Sequence, residues 1–186
     1  MRYADYYDCD ICNGNSVGMS LFVSGCPFQC QGCFNSDIWD FNTGKEWTKE
    51  IEDKFLKLVG RDYIKRVTLV GGSPLCDENV KDVCDLITRI HKEYPDKQIW
   101  VYTGYVWEDI FDPEFRDSLP FDLNAEWYRS EILDQIDVLV DGPFECDRKD
   151  LSLAFRGSSN QRIIDVQRSI ESGKVILWNN EDKGEY

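Results

Sequence analysis

Short apolar runs that stop at glycine alternate along this chain with longer stretches whose apolar residues return every third or fourth position. Val17 to Val23 is a β-prone run ending in Ser24-Gly25, and Val67-Thr68-Leu69-Val70 is another, stopped by Gly71-Gly72-Ser73-Pro74. Further strands are expected at Ile99 to Thr103, ended by Gly104, and at Val138-Leu139-Val140, ended by Asp141-Gly142-Pro143. Between them, Trp47 to Val59 places Ile51, Phe55, Leu58 and Val59 on one helical face. Val80 to Tyr94 does the same with Val83, Leu86, Ile87 and Ile90, and Asp77 is a candidate N-cap. Strands alternating with helices imply parallel βαβ units, hence an α/β fold with mainly parallel strands. Loops at the C-terminal ends of such strands are free to carry chemistry.

Two stretches break the rhythm. Phe111 to Trp127 is rich in aromatic and acidic residues, contains Pro113 and Pro120, and reads as a loop or broken helix inserted between two units. The polar stretch 179–186 is expected to be a disordered tail on a single domain spanning 1–178. At 186 residues, 42% hydrophobic and 30% charged, the chain has the size and apolar content of one domain.

Charge and composition then remove whole classes of function. A net charge of −14 with no Lys/Arg cluster argues against nucleic acid and leaves a protein as the expected macromolecular partner. No apolar run approaches the ~20 residues that cross a bilayer, and Met1-Arg2-Tyr3-Ala4-Asp5 lacks the apolar stretch of a secretory signal. The expectation is a cytoplasmic protein without membrane contact. His91 is the only histidine, which leaves little for His-based zinc hydrolases or nucleophilic triads; it is expected on a solvated helix end. Eight cysteines in a reducing compartment point to metal or redox chemistry before disulfides.

Gly25-Cys26-Pro27-Phe28-Gln29-Cys30-Gln31-Gly32-Cys33-Phe34-Asn35 carries C-x3-C-x2-C directly after a strand, a loop able to wrap three thiolates around one metal centre. A cubane of four irons held by three cysteines keeps one iron open for a substrate or cofactor. A structural zinc would need a fourth ligand, for which Cys9, Cys12, Cys76, Cys84 and Cys146 are available, and Cys9-Asp10-Ile11-Cys12 has C-x2-C spacing. Both metals favour thiolates, so spacing alone leaves both open.

The same loop resembles the signature of the radical S-adenosylmethionine superfamily. The chain is more closely similar to the activating proteins of anaerobic ribonucleoside-triphosphate reductases, over Tyr6-Tyr7, Val17 to Asn35, Ile64-Lys65 to Val80, Ile99 to Tyr105, Val138 to Gly142 and Arg156-Gly157-Ser158-Ser159-Asn160-Gln161. The resemblance implies an incomplete (β/α) barrel with a 4Fe-4S cluster on Cys26, Cys30 and Cys33. It also implies that the amino and carboxylate groups of S-adenosylmethionine chelate the fourth iron. Reductive cleavage would yield methionine and a 5′-deoxyadenosyl radical that takes hydrogen from a glycine of the partner reductase; the electron would come from an external donor such as a flavodoxin.

By the same resemblance, Gly71-Gly72-Ser73-Pro74 lies along the methionine part of the cofactor, with Ser73 where the family usually has an acidic residue. Gly32, Cys33 and Phe34 border the cofactor, Phe34 near the adenine, and Thr103 and Asp141 end strands that face the same mouth. Arg156, Gly157, Ser158 and Asn160 belong to a segment that lines the cofactor site or shapes the opening for the glycine-bearing loop. Cys9 and Cys12 are expected to be buried or incidental thiols, Cys84 to lie on a helix face, and Cys76 and Cys146 to follow strand ends near the mouth. Two other readings stand beside this one: activation of another glycyl-radical enzyme or radical modification of a small molecule, and a non-enzymatic zinc-binding interaction module.

Overall fold

The computed structural model describes residues 1–111 and 125–179. Its strands are β1 (Arg2–Asp10), β2 (Gly18–Val23), β3 (Lys45–Glu46), β4 (Arg66–Gly71), β5 (Gln98–Tyr102), β6 (Val138–Asp141) and β7 (Arg162–Asp165). The helices are α1 (Lys49–Val59), α2 (Val80–Glu93), α3 (Trp107–Ile110), α4 (Ala125–Leu133) and α5 (Val166–Ser172). Among the described residues the strands form one open sheet in the order β3-β1-β2-β4-β5-β6-β7. The four central strands, β2, β4, β5 and β6, are mutually parallel as expected. β1 and β3 on one side and β7 on the other run antiparallel. The apolar pattern does not announce these edges, because β1 is half exposed and carries Asp5 and Asp8, β3 is two exposed residues, and β7 is four residues of which only Ile164 is fully buried.

Each central strand is buried on both faces, which is why it reads as an unbroken apolar run. Met19, Leu21 and Val23 of β2, Val67 and Leu69 of β4, and Ile99 and Val101 of β5 pack under α1, α2 and α4 through Phe55, Leu86, Ile87, Ile90 and Ile132. Trp100, Val138 and Val140 turn to the opposite face, where Tyr102, Phe155, Ile163 and Trp178 join them. α1 starts two residues later than expected, with the Thr48 hydroxyl accepting from Ile51 N–H at 3.4 Å.

The expected cap of α2 needs correction. Asn79 is its N-cap, and its amide donates to the carbonyls of Ser24 at 2.9 Å and Ser73 at 3.1 Å instead of capping the helix. Asp77 is drawn off by the Arg129 guanidinium of α4, a nearly buried cation that needs a carboxylate. His91 is exposed in the last turn of α2, as expected. Of the aromatic and acidic stretch, Ala125 to Trp127 begin α4, whereas 112–124 lie outside the described residues, as do 180–186 of the expected tail. Among the described residues no helix is long and apolar enough to cross a membrane.

On the face away from the helices, the first residue of β4, Arg66, is fully buried. Its guanidinium donates to the carbonyls of Asn15 at 2.9 Å, Asn13 at 3.0 Å and Asp10 at 3.0 Å, and pairs with the Asp10 carboxylate at 3.3 Å. The Ser20 hydroxyl donates to the same carboxylate at 2.6 Å. This network ties the loop after β1 across the sheet. Burial alone would raise the pKa of Asp10, but the hydrogen bonds from Ser20, Cys12 N–H and Asn13 N–H, together with Arg66, hold it below its ordinary 3.8. Burial pulls Arg66 down as well, from a value so high that it stays charged.

Removing one partner leaves the other charge buried and unpaired. Asp10→Ala is therefore expected to cost about 3–5 kcal/mol in urea unfolding at neutral pH. The wild-type contribution of Asp10 is complete above its unfolded pKa and disappears as pH falls through the lowered folded value, so the gap between the two proteins should narrow only under acid.

Candidate functional site

The cysteine loop leaves β2 at a point where two backbones touch. Gly25 has φ +91° and Gly71 φ +106°, both in the left-handed region that favours glycine. Gly72 N–H donates to Val23 C=O at 2.7 Å and Ser73 N–H to Gly25 C=O at 2.8 Å, so the end of β4 is stitched to the start of the loop. A Cβ on Gly72 would sit 2.3 Å from the Gly25 oxygen. On its other side the loop is tied down by Gly25 N–H to Ile38 C=O at 2.8 Å and Cys26 N–H to Trp39 C=O at 2.9 Å.

Cys26, Cys30 and Cys33 are partly buried, free thiols that open on one cavity of about 520 Å³. Each sulfur faces main-chain N–H groups: those of Phe28 and Gln29 for Cys26, of Phe144 for Cys30, and of Asn35 at 3.4 Å for Cys33. Burial pushes the Cys26 and Cys30 thiols up, the N–H groups pull them back, and the neighbouring cysteine sulfurs add to the rise. Three crowded sulfurs with aimed donors but no cationic side chain among them are a donor set whose missing charge a metal centre supplies. Among the described residues no three His, Cys, Asp or Glu side chains converge as they would around a single ion. A zinc wants its thiolates ~2.3 Å from one point, whereas a cubane takes each thiolate on a different iron. Three thiols on one loop, each with main-chain N–H groups aimed at its sulfur, are a donor set that fits a cluster.

Strand ends supply the rest of the cavity wall: Gly71 and Gly72 at the end of β4, Thr103 and Gly104 after β5, and Gly142 to Phe144 after β6. Gly104 has no room for a side chain, because a Cβ would lie 2.5 Å from the Phe28 ring. Phe34 is 60% exposed at the mouth, its ring 5.4 Å from that of Phe144 and the Lys149 ammonium 4.9 Å from its centroid. Arg156 and Gly157 close the far side.

Not every expected residue reaches this wall. Ser73 is fully buried with an unpartnered hydroxyl, and Pro74 lies buried beside it. Asp141 is fully buried and occupied: it accepts from Trp107 N–H at 2.8 Å and Arg162 Nε at 3.1 Å, binding α3 to β7 from behind the cavity. Gly32 backs onto Phe144 and Cys146. Ser158 and Asn160 act as staples, the first accepting from Glu145 N–H at 3.2 Å, the second donating to Pro143 C=O at 2.7 Å. They hold the loop that brings Phe144 N–H to Cys30.

Cys9, near the end of β1, and Cys12, in the loop after it, are exposed, not buried, and Cys12 lines the cavity. Burial pushes Cys76 up to about 12 and Cys84 up to about 11, so both behave as small apolar groups; Cys146 is exposed behind Gly32. Sequence reasoning missed Asn35, Phe28, Phe144 and Gln161. Asn35 donates to Gly71 C=O at 3.1 Å, and the Gln161 amide links Gly157 N–H at 2.9 Å to Gly142 C=O at 3.1 Å. The position of Asn35 directly after the cysteine loop was the available signal; the others depend on contacts between distant segments.

An open α/β sheet with three cysteines on one strand-end loop defines a class of iron-sulfur proteins, and residues 12–164 match the 4Fe-4S single cluster domain family. A protein of Salmonella typhimurium is 44% identical over 163 residues, 87% of this chain and 96% of its own. One of Escherichia coli is 43% identical over 163 residues, with the same coverage. One of Vibrio cholerae is 38% identical over 165 residues, 88% of this chain and 97% of its own. All three are named anaerobic ribonucleoside-triphosphate reductase-activating protein, and this chain belongs to their family.

Gly72→Ala tests the stitched backbones. The added methyl must part the end of β4 from Gly25, and the purified variant should take up well under half the iron of the wild type on anaerobic reconstitution. Full iron uptake would show that the close approach is dispensable.

Proposed function

We propose that this chain activates an anaerobic ribonucleoside-triphosphate reductase, using a 4Fe-4S cluster and S-adenosylmethionine. The observation that carries the reading is the shared cavity onto which Cys26, Cys30 and Cys33 open beside the glycine-rich strand ends; the names of the relatives agree with it. On this reading the open sheet is a partial radical S-adenosylmethionine barrel within one domain, 1–178. Cys26, Cys30 and Cys33 would hold a cluster, leaving one iron open to the amino and carboxylate groups of the cofactor. When bound, this pair supplies a one-electron cleavage of the sulfonium whose organic radical takes hydrogen from a partner glycine.

The chain's own part is to hold, orient and dry the reactants. Gly71 and Gly72 let backbone lie close along the methionine moiety, Phe34 offers its face to the adenine, and Thr103 and Gly157 border the same space. Gly32 gives the cysteine loop its left-handed turn at φ +75°. Ser73, Pro74 and Asp141 serve from behind the wall, Asp141 by fixing Arg162, and Ser158 and Asn160 by stapling the Phe144 loop. Phe22, Val70, Leu153 and Phe155 keep the cavity apolar, and its open side admits a protein segment, which must come within a few Å for hydrogen transfer. A cytoplasmic setting would keep the thiols reduced, and an external donor such as a flavodoxin would supply the electron.

Anaerobic reconstitution with iron and sulfide, followed by dithionite, S-adenosylmethionine and the reductase, should give 5′-deoxyadenosine and a glycyl radical seen by electron paramagnetic resonance. Zinc uptake without labile sulfide would sink the reading. Single replacement of Cys26, Cys30 or Cys33 by Ala should abolish the brown cluster absorbance and all cofactor cleavage. Cys84→Ala should keep both, since that thiol is packed under α4.

A further inference from the structure

The segment from Arg156 to Gln161 reaches back to one short stretch of backbone, Gly142 to Glu145. The connection from β6 to β7 folds on itself: Lys149 and Ser158 form an antiparallel bridge, Asp150 N–H donates to Gly157 C=O at 3.2 Å, and Ser159 N–H to Arg148 C=O at 2.9 Å. Its returning limb is braced internally. Arg156 Nη1 donates to Gln161 C=O at 2.8 Å, and the Gln161 side-chain oxygen accepts from Gly157 N–H at 2.9 Å and Ser158 N–H at 3.2 Å. The turn so closed aims three side chains at the outgoing limb. Gln161 Nε2 donates to Gly142 C=O at 3.1 Å, Asn160 Nδ2 donates to Pro143 C=O at 2.7 Å, and Ser158 Oγ accepts from Glu145 N–H at 3.2 Å.

Phe144 is the residue these contacts enclose. Pro143 C=O and Phe144 N–H belong to one peptide plane, and in a trans peptide they point to opposite sides of the chain. Holding the oxygen therefore aims the hydrogen. Asn160 takes the oxygen on one side, and on the other the N–H faces the Cys30 sulfur. The next peptide plane is held as well, through Ser158 on Glu145 N–H. The Phe144 ring is fixed independently, with its centroid 5.4 Å from that of Phe34. Gly32 and Gly157 flank it so closely that an added Cβ would lie 3.7 Å and 3.1 Å from its carbons. The phenyl group thus fills a slot between the cysteine loop and the returning limb.

We propose that Asn160 is a positioning residue for the metal centre: by fixing the oxygen of the Pro143–Phe144 peptide it keeps the N–H of that peptide on the Cys30 sulfur, and so raises the reduction potential of a cluster bound there. This rests on the cluster reading given above. Reduction adds negative charge that the thiolate ligands share, and an aimed N–H stabilises the more negative state more strongly than the less negative one. Losing the N–H makes the cluster harder to reduce. General loosening of the loop acts with the opposite sign, because water admitted to the cluster also favours the more highly charged, reduced state. The direction of the shift therefore separates an aimed hydrogen bond from ordinary packing.

The test uses the full chain reconstituted anaerobically with iron and sulfide, without cofactor or reductase, in a redox titration followed by electron paramagnetic resonance of the reduced cluster. In Asn160→Ala the equilibrium constant for reduction should fall about ten-fold, which for one electron places the midpoint about 59 mV more negative. Asn160→Asp, close in shape but without the amide donor, should shift the same way. Ser152→Ala cuts a 2.6 Å hydrogen bond to Asp150 at the exposed tip of the same connection and should stay within about two-fold of wild type. A fall of less than about three-fold in Asn160→Ala, or any rise, overturns the proposal, and so does an equal fall in Ser152→Ala. Should neither Asn160 variant assemble a cluster, the unmodified chain decides by hydrogen exchange resolved to single amides. Phe144 N–H should then exchange about ten-fold more slowly with the cluster than without it, and equal rates defeat the proposal. An unmodified chain that takes up no iron and sulfide counts instead against the cluster reading.

Discussion

The contact between the ends of β2 and β4 is the constraint on which the site depends. Gly72 N–H on Val23 C=O and Ser73 N–H on Gly25 C=O continue the parallel ladder past the last strand residues, into backbone where any side chain would collide. Once those two strand ends are locked, the cysteine loop has one place to begin, and Asn35, reaching to Gly71 C=O, ties its far end to the same strand. The cavity is the space this closure leaves in front of the sheet.

A second layer of support comes from segments far away in sequence. The loop after β6 brings Phe144 N–H to Cys30, and that loop is itself held by Ser158, Asn160 and Gln161. Hydrogen bonds to cluster sulfurs are among the levers that set reduction potential, so on the function proposed for this chain the staple would act on the cluster through Cys30. Below them, the Arg66–Asp10 pair pins the loop after β1 and so places Cys12 and Asn13 on the cavity wall. Charge is spent on the frame, in buried pairs behind or beneath the cavity, and kept off its surface except at Arg156.

The central strands were legible because burial on both faces leaves an apolar run with a glycine stop, and α1 and α2 because their apolar stripe repeats at the helical period. β1, β3 and β7 were not, since exposed positions dilute the pattern of β1 and β3 and β7 is only four residues long with polar ends. Within the site, the three cysteines and the glycines were visible as local motifs. The burial of Ser73 and the engagement of Asp141 with Arg162 were hidden, because a strand end shows one side chain to the cavity and the next to the core, and the choice depends on register.

Sequence by itself determined what lies within one loop or one element: the clustering of Cys26, Cys30 and Cys33 on one strand-end loop, the β-to-loop rhythm, and the glycines where backbone must bend or be approached. These are short-range properties, written in spacing and residue type. Only the tertiary structure decided which strand-end residues face the cavity, which acids are consumed by Arg66, Arg129 and Arg162, and that Arg156 has no carboxylate partner among the described residues. Those outcomes depend on pairings between residues some twenty to fifty-six positions apart, such as Asp141 with Arg162 and Asp10 with Arg66, and a buried charge is satisfied by whatever the fold brings beside it.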